Sequence, residues 1–119
     1  MDATRQDRIA GFYDRASGQY DAMVDFDSRF QRACRFVRAL QARWPIRRAL
    51  DVGCGTGAYT LAFVHEGVSA SGIDLSPEMV RHAQGRAREL GLPAESHTAS
   101  VEDTGLPAAT FDTVVCLGN

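Results

Sequence analysis

The chain has 119 residues, 45% of them hydrophobic and 24% charged, with a net charge of −2, so it is long enough to bury a core as one globular domain and is not composed like a disordered polymer. No apolar run approaches the roughly 18–20 residues of a bilayer span, and the polar, acid-containing first twenty residues carry neither a secretory nor a transit signal. All thirteen basic residues are arginine, which excludes a P-loop and its lysine, while Cys34, Cys54 and Cys116 lie far apart without a C-x-x-C pair, as suits reduced thiols in a cytoplasm and no metal site.

In chain order, residues 1–26 lack a sustained period and read as a short helix with a loop. From Ser28, the residues Phe30, Cys34, Val37, Leu40 and Trp44 recur at helical spacing; Asp27 or Ser28 is the N-cap and Pro45 the stop. "RALDVG" is a short buried strand that Gly53 to Gly57 turn into the helix "AYTLAFVHE", closed by Gly67. "VSASGIDL" is a second strand. A well-marked helix start follows, with Ser76 as N-cap, Pro77 at the first helical position and Glu78 in the first turn; Gly91 and Pro93 end that helix. "ESHTAS" is a weaker third strand and "FDTVVCLG" a fourth, with Cys116 in its core.

Strands alternating with helices specify an α/β fold, a Rossmann-like three-layer sandwich around a parallel sheet. A parallel sheet is normally covered on both faces, and the chain stops at Asn119 with no helix after the fourth strand, so the sheet reads as truncated there. Two parts are expected: an N-terminal helical leader over residues 1–47, and a ligand-binding half-domain over 48–119 whose C-terminal half is missing. Pairing through the exposed fourth strand, or a homo-oligomer, would be the natural association. Residues 1–50 carry net +4 and residues 51–119 net −6, so the ligand-binding part makes a poor nucleic-acid footprint.

In a doubly wound sheet the ligand lies beyond the carboxyl ends of the strands, where Gly53, Gly55, Asp74, the region after Ser100 and residues 117–119 would meet. The G-x-G-x-x-A spacing from Gly53 to Ala58 is also permitted for dinucleotides, which leaves an NAD-dependent oxidoreductase as one reading. Asp51 favours another. A pyrophosphate over the loop would face a carboxylate at close range, whereas a ligand with an ammonium and a sulfonium would gain from it. Asp74, twenty-one residues after Gly53, can accept both hydroxyls of a ribose. A ligand that is cationic at one end and an adenosine at the other is S-adenosylmethionine.

"LDVGCGTGAYTLAF", "SGIDLSPEMVRHAQ" and "LPAATFDTVVCLGN" resemble successive motifs of the class I S-adenosylmethionine-dependent methyltransferases, in order and at the usual separations over residues 48–119. Tyr13-Asp14 and Tyr20-Asp21 resemble the "YD" of that family's leader, and "CLGN" resembles its small-molecule branch. The resemblance implies that Asp51 and the backbone at Gly53 and Gly55 hold the methionine end. Asp74 would hold the ribose, Leu75 and Met79 would pack on the adenine, and the backbone of Val101 would meet its edge. Many relatives have an acid where Ser100 stands; here the acids fall at Glu102 and Asp103, and either is a candidate for the adenine amino group. The backbone at Cys116 and Leu117 would approach the amino group and donor methyl, and Tyr20 would close over the carboxylate as part of a lid. No catalytic residue is implied within these 119 positions, since general bases of the fold come from substrate-side loops.

The expected activity is methyl transfer from S-adenosylmethionine to a small-molecule acceptor, with a non-catalytic cofactor-binding module or enzyme remnant as the rival. His65, His82 and His97 lie in separate elements without ligand spacing and read as surface residues, Cys54 as a small residue that fits between glycines.

Overall fold

The computed structural model of the chain describes residues 25–106 and 110–117. Helix α1 spans Phe26–Gln41, strand β1 Arg48–Val52, helix α2 Ala58–His65, strand β2 Ser69–Asp74, helix α3 Pro77–Leu90, strand β3 Glu95–Thr98 and strand β4 Thr113–Val115. The four strands form one parallel sheet in the order β3-β2-β1-β4. Two β-α-β units thus run outward from β1, and β4 returns to its other side, the first half of a doubly wound sheet.

Helix α1 begins two residues before the sequence pattern predicts. Asp25 is its N-cap, accepting from the Asp27 N–H at 3.0 Å and from the Ser28 hydroxyl at 3.0 Å. The earlier start makes Phe26 a helical residue with 7% exposure, and its ring stacks on Phe30. At the other end the helix stops at Gln41, so Trp44 lies beyond it and is 53% exposed instead of continuing the apolar stripe. Phe26 packs with Ala58, Leu61 and Ala87. A second cluster joins Ala33, Cys34 and Val37 of α1 to Ala62 and Phe63 of α2 and to Ala49 and Ala70 of the sheet. The three helices therefore share one face of the sheet.

Paired Ala49 and Ala70 are small where the helices approach closely, and the next residues alternate to the other side. There Leu50 pairs with Ser71 and with Val114, which is 62% exposed. Among the described residues no helix lies on that side. A groove of about 620 Å³ is bounded by Arg48, Val64, Val68, Ser71, Glu95 and Phe111. The groove reaches the amino ends of the strands, the end opposite the glycine loop.

Strand β4 is three residues long, shorter than its apolar run predicts. Its register is set by Asp112, whose carboxylate accepts from the Arg47 and Arg48 N–H groups at 3.0 and 3.1 Å while its own N–H donates to the Arg48 carbonyl. The Thr113 hydroxyl and these backbone amides hold the Asp112 carboxyl below its ordinary pKa. Cys116, expected in the core of this strand, follows it and is exposed, because β4 is an edge strand with nothing packed on its outer side among the described residues.

Candidate functional site

Strand β1 delivers Asp51 to the helix side of the sheet, beside Gly72 of β2 and Val115 of β4 in register. Asp51 is 3% exposed, and the Thr60 hydroxyl of α2 donates to its Oδ2 at 2.8 Å. Burial pushes its pKa up to about 6, with the nearby Asp74 charge adding to the rise and the Thr60 hydrogen bond opposing it. The group is still mostly ionised at neutral pH, and it is costly to keep so.

Gly72 makes room for that arrangement. A Cβ there would stand 2.7 Å from both Thr60 Oγ1 and Cys54 Cβ. Sequence reading passed over Gly72 and Thr60; the one available signal was a glycine inside a strand pattern, which marks a close approach. Cys54, packed on this spot, has its thiol pKa raised by burial and by the two neighbouring carboxylates, so it is an inert filler.

The loop from β1 to α2 is glycine-rich because its backbone needs left-handed conformations. Gly53, Gly55 and Gly57 have φ of +72°, +57° and +94°. Gly53 and Cys54 both donate to the Ile73 carbonyl at 2.9 Å, tying the loop to the end of β2. A Cβ on Gly57 would lie 2.9 Å from that of Ala83, so this glycine also sets the approach of α3, while one on Gly53 would meet nothing within 4 Å. Gly57 caps α2 without a side-chain hydrogen bond, and the buried Thr56 hydroxyl has no partner among the described residues.

Asp74 closes β2 and braces the loop. Its Oδ2 accepts the Gly55 N–H at 2.9 Å and its Oδ1 the Ser76 N–H at 3.0 Å. Each oxygen keeps a lone pair, and the side chain is 8% exposed. Ser76 then caps α3 as its sequence predicts, accepting from the Met79 N–H at 3.1 Å, with Pro77 and Glu78 in the first turn and Gly91 at φ +66° closing the helix. Ser76→Ala is expected to cost about 1 kcal/mol in urea unfolding, the usual loss for a removed N-cap, with α3 still formed.

Asp51, Gly53, Gly55, Asp74 and Leu75 are brought together at the carboxyl ends of the two central strands. Met79 lies behind them, 2% exposed. Val101 and Glu102 fall in an exposed turn after β3, pinned by the Asp103 N–H on the Ser100 carbonyl and hydroxyl, each at 3.2 Å. Cys116 and Leu117 follow β4 at the same end of the parallel sheet, both exposed. Tyr20 lies outside the described residues.

A parallel sheet whose first strand leads through a glycine loop into a helix, with acids at the tips of the two central strands, defines a Rossmann-like α/β domain. The profile of a family described as "methyltransferase domain" matches residues 49–119. The chain belongs to that family. Among curated proteins it is 34% identical over 128 aligned positions to the ubiquinone biosynthesis O-methyltransferase of Xylella fastidiosa (strain 9a5c), covering 92% of this chain and 52% of that protein. Other ubiquinone biosynthesis O-methyltransferases match over as little as 30% of their length, so the chain spans about half or less of these relatives. Among solved structures, magnesium protoporphyrin IX methyltransferase from Synechocystis PCC 6803 with bound SAH superposes with a TM-score of 0.72 at 21% identity, over 93% of this chain and 57% of the other. The [4+2]-cyclase SpnF superposes with a TM-score of 0.59 at 29% identity, over 68% of this chain and 32% of the other.

Proposed function

We propose that the chain is the cofactor-binding part of an S-adenosylmethionine-dependent methyltransferase acting on a small-molecule acceptor. The observation that carries this reading is the pair of buried carboxylates, Asp51 and Asp74, at the tips of adjacent strands beside a glycine-rich loop. A pyrophosphate at that place would add negative charge beside Asp51, whose ionisation is already made costly by burial and by the charge of Asp74, whereas an ammonium would relieve that cost. The orphaned Thr56 hydroxyl and the open side of Gly53 leave polar capacity and space where the amino-acid end would lie.

In this reading Asp51 holds the ammonium, and the backbone at Gly53 and Gly55 shapes the floor beneath it. The remaining lone pairs of Asp74 take the ribose hydroxyls, while Leu75 and Met79 shape the apolar side of the adenine site. Val101 and Glu102 meet the adenine edge, the backbone at Cys116 and Leu117 flanks the amino-acid end, and Tyr20 and the leader close over it as a lid. The bound cofactor supplies a sulfonium whose methyl is already electrophilic. The protein's share is alignment and exclusion of water, so no acid or base among the described residues is assigned a chemical step. The cofactor relation of the fold agrees with the SAH held by the Synechocystis enzyme, and the names of the curated relatives support a small acceptor methylated on oxygen. The three free thiols favour a cytoplasmic setting, and the exposed edge at Val114 favours association through β4.

A second reading, binding without methyl transfer, is favoured by the likeness to a protein named for a cyclisation. Calorimetry with S-adenosylhomocysteine and with NAD separates the cofactors: saturable binding of the first alone is expected, and binding of NAD alone would overturn both readings. Turnover of a labelled methyl donor then decides between enzyme and module.

A further inference from the structure

At the end of α2 away from the glycine loop, Cys34 of α1 and His65 and Glu66 bring three potential ligand atoms together. Cys34 Sγ is 3.8 Å from His65 Nδ1, and Glu66 Oε2 is 2.9 Å from the same nitrogen. All three atoms lie within 4.8 Å of one another. A cysteine–histidine–carboxylate relay would need the thiol and the carboxylate on opposite nitrogens of the ring. Here both converge on Nδ1, so the arrangement surrounds a point instead of forming a chain.

The side chains are held in place by neighbours. Cys34 is buried within α1. The His65 ring packs edge-on against Phe30 with centroids 5.5 Å apart. Glu66 is fixed by Gln41, whose amide donates to its carbonyl at 2.9 Å, and by Arg38, whose guanidinium reaches its carboxylate at 3.0 Å. Zinc bonds of roughly 2.0–2.3 Å to sulfur, nitrogen and oxygen place tetrahedral ligand atoms about 3.3–3.6 Å apart. The Cys34–His65 and His65–Glu66 separations therefore need shifts of about half an ångström or less, and the Cys34–Glu66 pair, within 4.8 Å, closes by no more than about 1.2 Å. A set of thiol, imidazole and carboxylate suits zinc and its borderline neighbours, and disfavours magnesium or calcium.

We propose that Cys34, His65 and Glu66 form a zinc-type site that clips α1 to the C-terminal end of α2, with water in the fourth position. On binding, the Cys34 thiol releases its proton to solvent as the metal–sulfur bond forms, and His65 coordinates through Nδ1 as the neutral ring with its proton on Nε2. Glu66 offers Oε2 to the metal, and Arg38, which contacts that same oxygen at 3.0 Å and whose side chain is 54% exposed, moves to the other oxygen or swings away. The site is independent of the cofactor reading, and its consequence is mechanical, since it fastens α1 to α2.

The test is titration of the metal-free 119-residue chain with cobalt(II) alone, followed by zinc. A thiolate-to-cobalt charge-transfer band in the near ultraviolet at one equivalent, displaced by zinc, is expected, together with a zinc-dependent rise in Tm. Cys34→Ser should abolish the band and Cys116→Ser should leave it. If Cys34→Ser does not fold, His65→Ala, at a half-exposed position, should fold and weaken cobalt binding by about tenfold or more. No band, a band that survives Cys34→Ser or is lost with Cys116→Ser, or unchanged affinity in His65→Ala would each overturn the site.

Discussion

Asp74→Ala is expected to weaken S-adenosylhomocysteine binding by well over tenfold and to destabilise the chain at the same time. The carboxylate has two jobs in the structure. It accepts the Gly55 and Ser76 N–H groups, one on each oxygen, and so joins the glycine loop, the tip of β2 and the start of α3. Losing it strands two backbone donors in a largely buried place, at about 1–3 kcal/mol each where water cannot replace the acceptor. It also removes the lone pairs assigned to the ribose. Calorimetry on the folded variant, with urea unfolding alongside, separates the two jobs. Lower stability with unchanged affinity would leave Asp74 as a loop brace and refute the ribose assignment. Asp74→Asn should fall between, because an amide can accept from one of the two N–H groups but presents its own donors to the other.

Asp51→Asn is expected to act in opposite directions on stability and on binding. Burial raises the pKa of Asp51 from 3.8 to about 6. The folded chain therefore holds this proton where the unfolded chain has released it. The cost to stability is absent below pH 3.8, grows between there and about pH 6, and is constant above. At about 1.36 kcal/mol per unit it amounts to about 2–3 kcal/mol at neutral pH. An asparagine carries no charge and still accepts from Thr60, so the variant should be more stable by about 1–3 kcal/mol at pH 7 and lose that pH dependence. Binding should suffer. Affinity for S-adenosylhomocysteine is expected to fall about tenfold or more, the value of a paired buried charge, while adenosine, which has no ammonium, binds as before. In the unsubstituted chain the same affinity should decline as pH drops through about 6, where Asp51 becomes neutral. Stability curves from pH 4 to 8 and calorimetry with both ligands check this. A variant that is less stable, or that keeps its full affinity, would remove Asp51 from the ammonium site.

Such a residue, costly to the fold and useful only with a ligand, is where local and global requirements part. It also shows how unevenly the structure could be read beforehand. The glycine run and the two acids were visible because each follows from a short-range demand, a turn that needs positive φ or a carboxylate at a strand tip. Asp51's dependence on Thr60, and Thr60's on the missing side chain at Gly72, was not visible. Those three residues are neighbours only because β2 pairs with β1 at one register and α2 lies over both.

The same division runs through the chain. Ser76, Pro77, Glu78 and Gly91 determined the limits of α3 by themselves, since a cap is a hydrogen bond between residues three or four apart. The order of strands and helices, and hence the parallel α/β class, likewise follows from patterns within single segments. Packing between distant segments decided the rest: Asp25 starts α1 because Phe26 has a buried place between α2 and α3, and Cys116 is exposed because β4 is an edge. Cys34 meets His65 and Glu66 although thirty-one residues separate the first pair, because α1 lies along α2. Hydrogen bonds of near neighbours are encoded in adjacent letters, whereas the contacts of a tertiary site depend on which faces of remote elements are buried against one another.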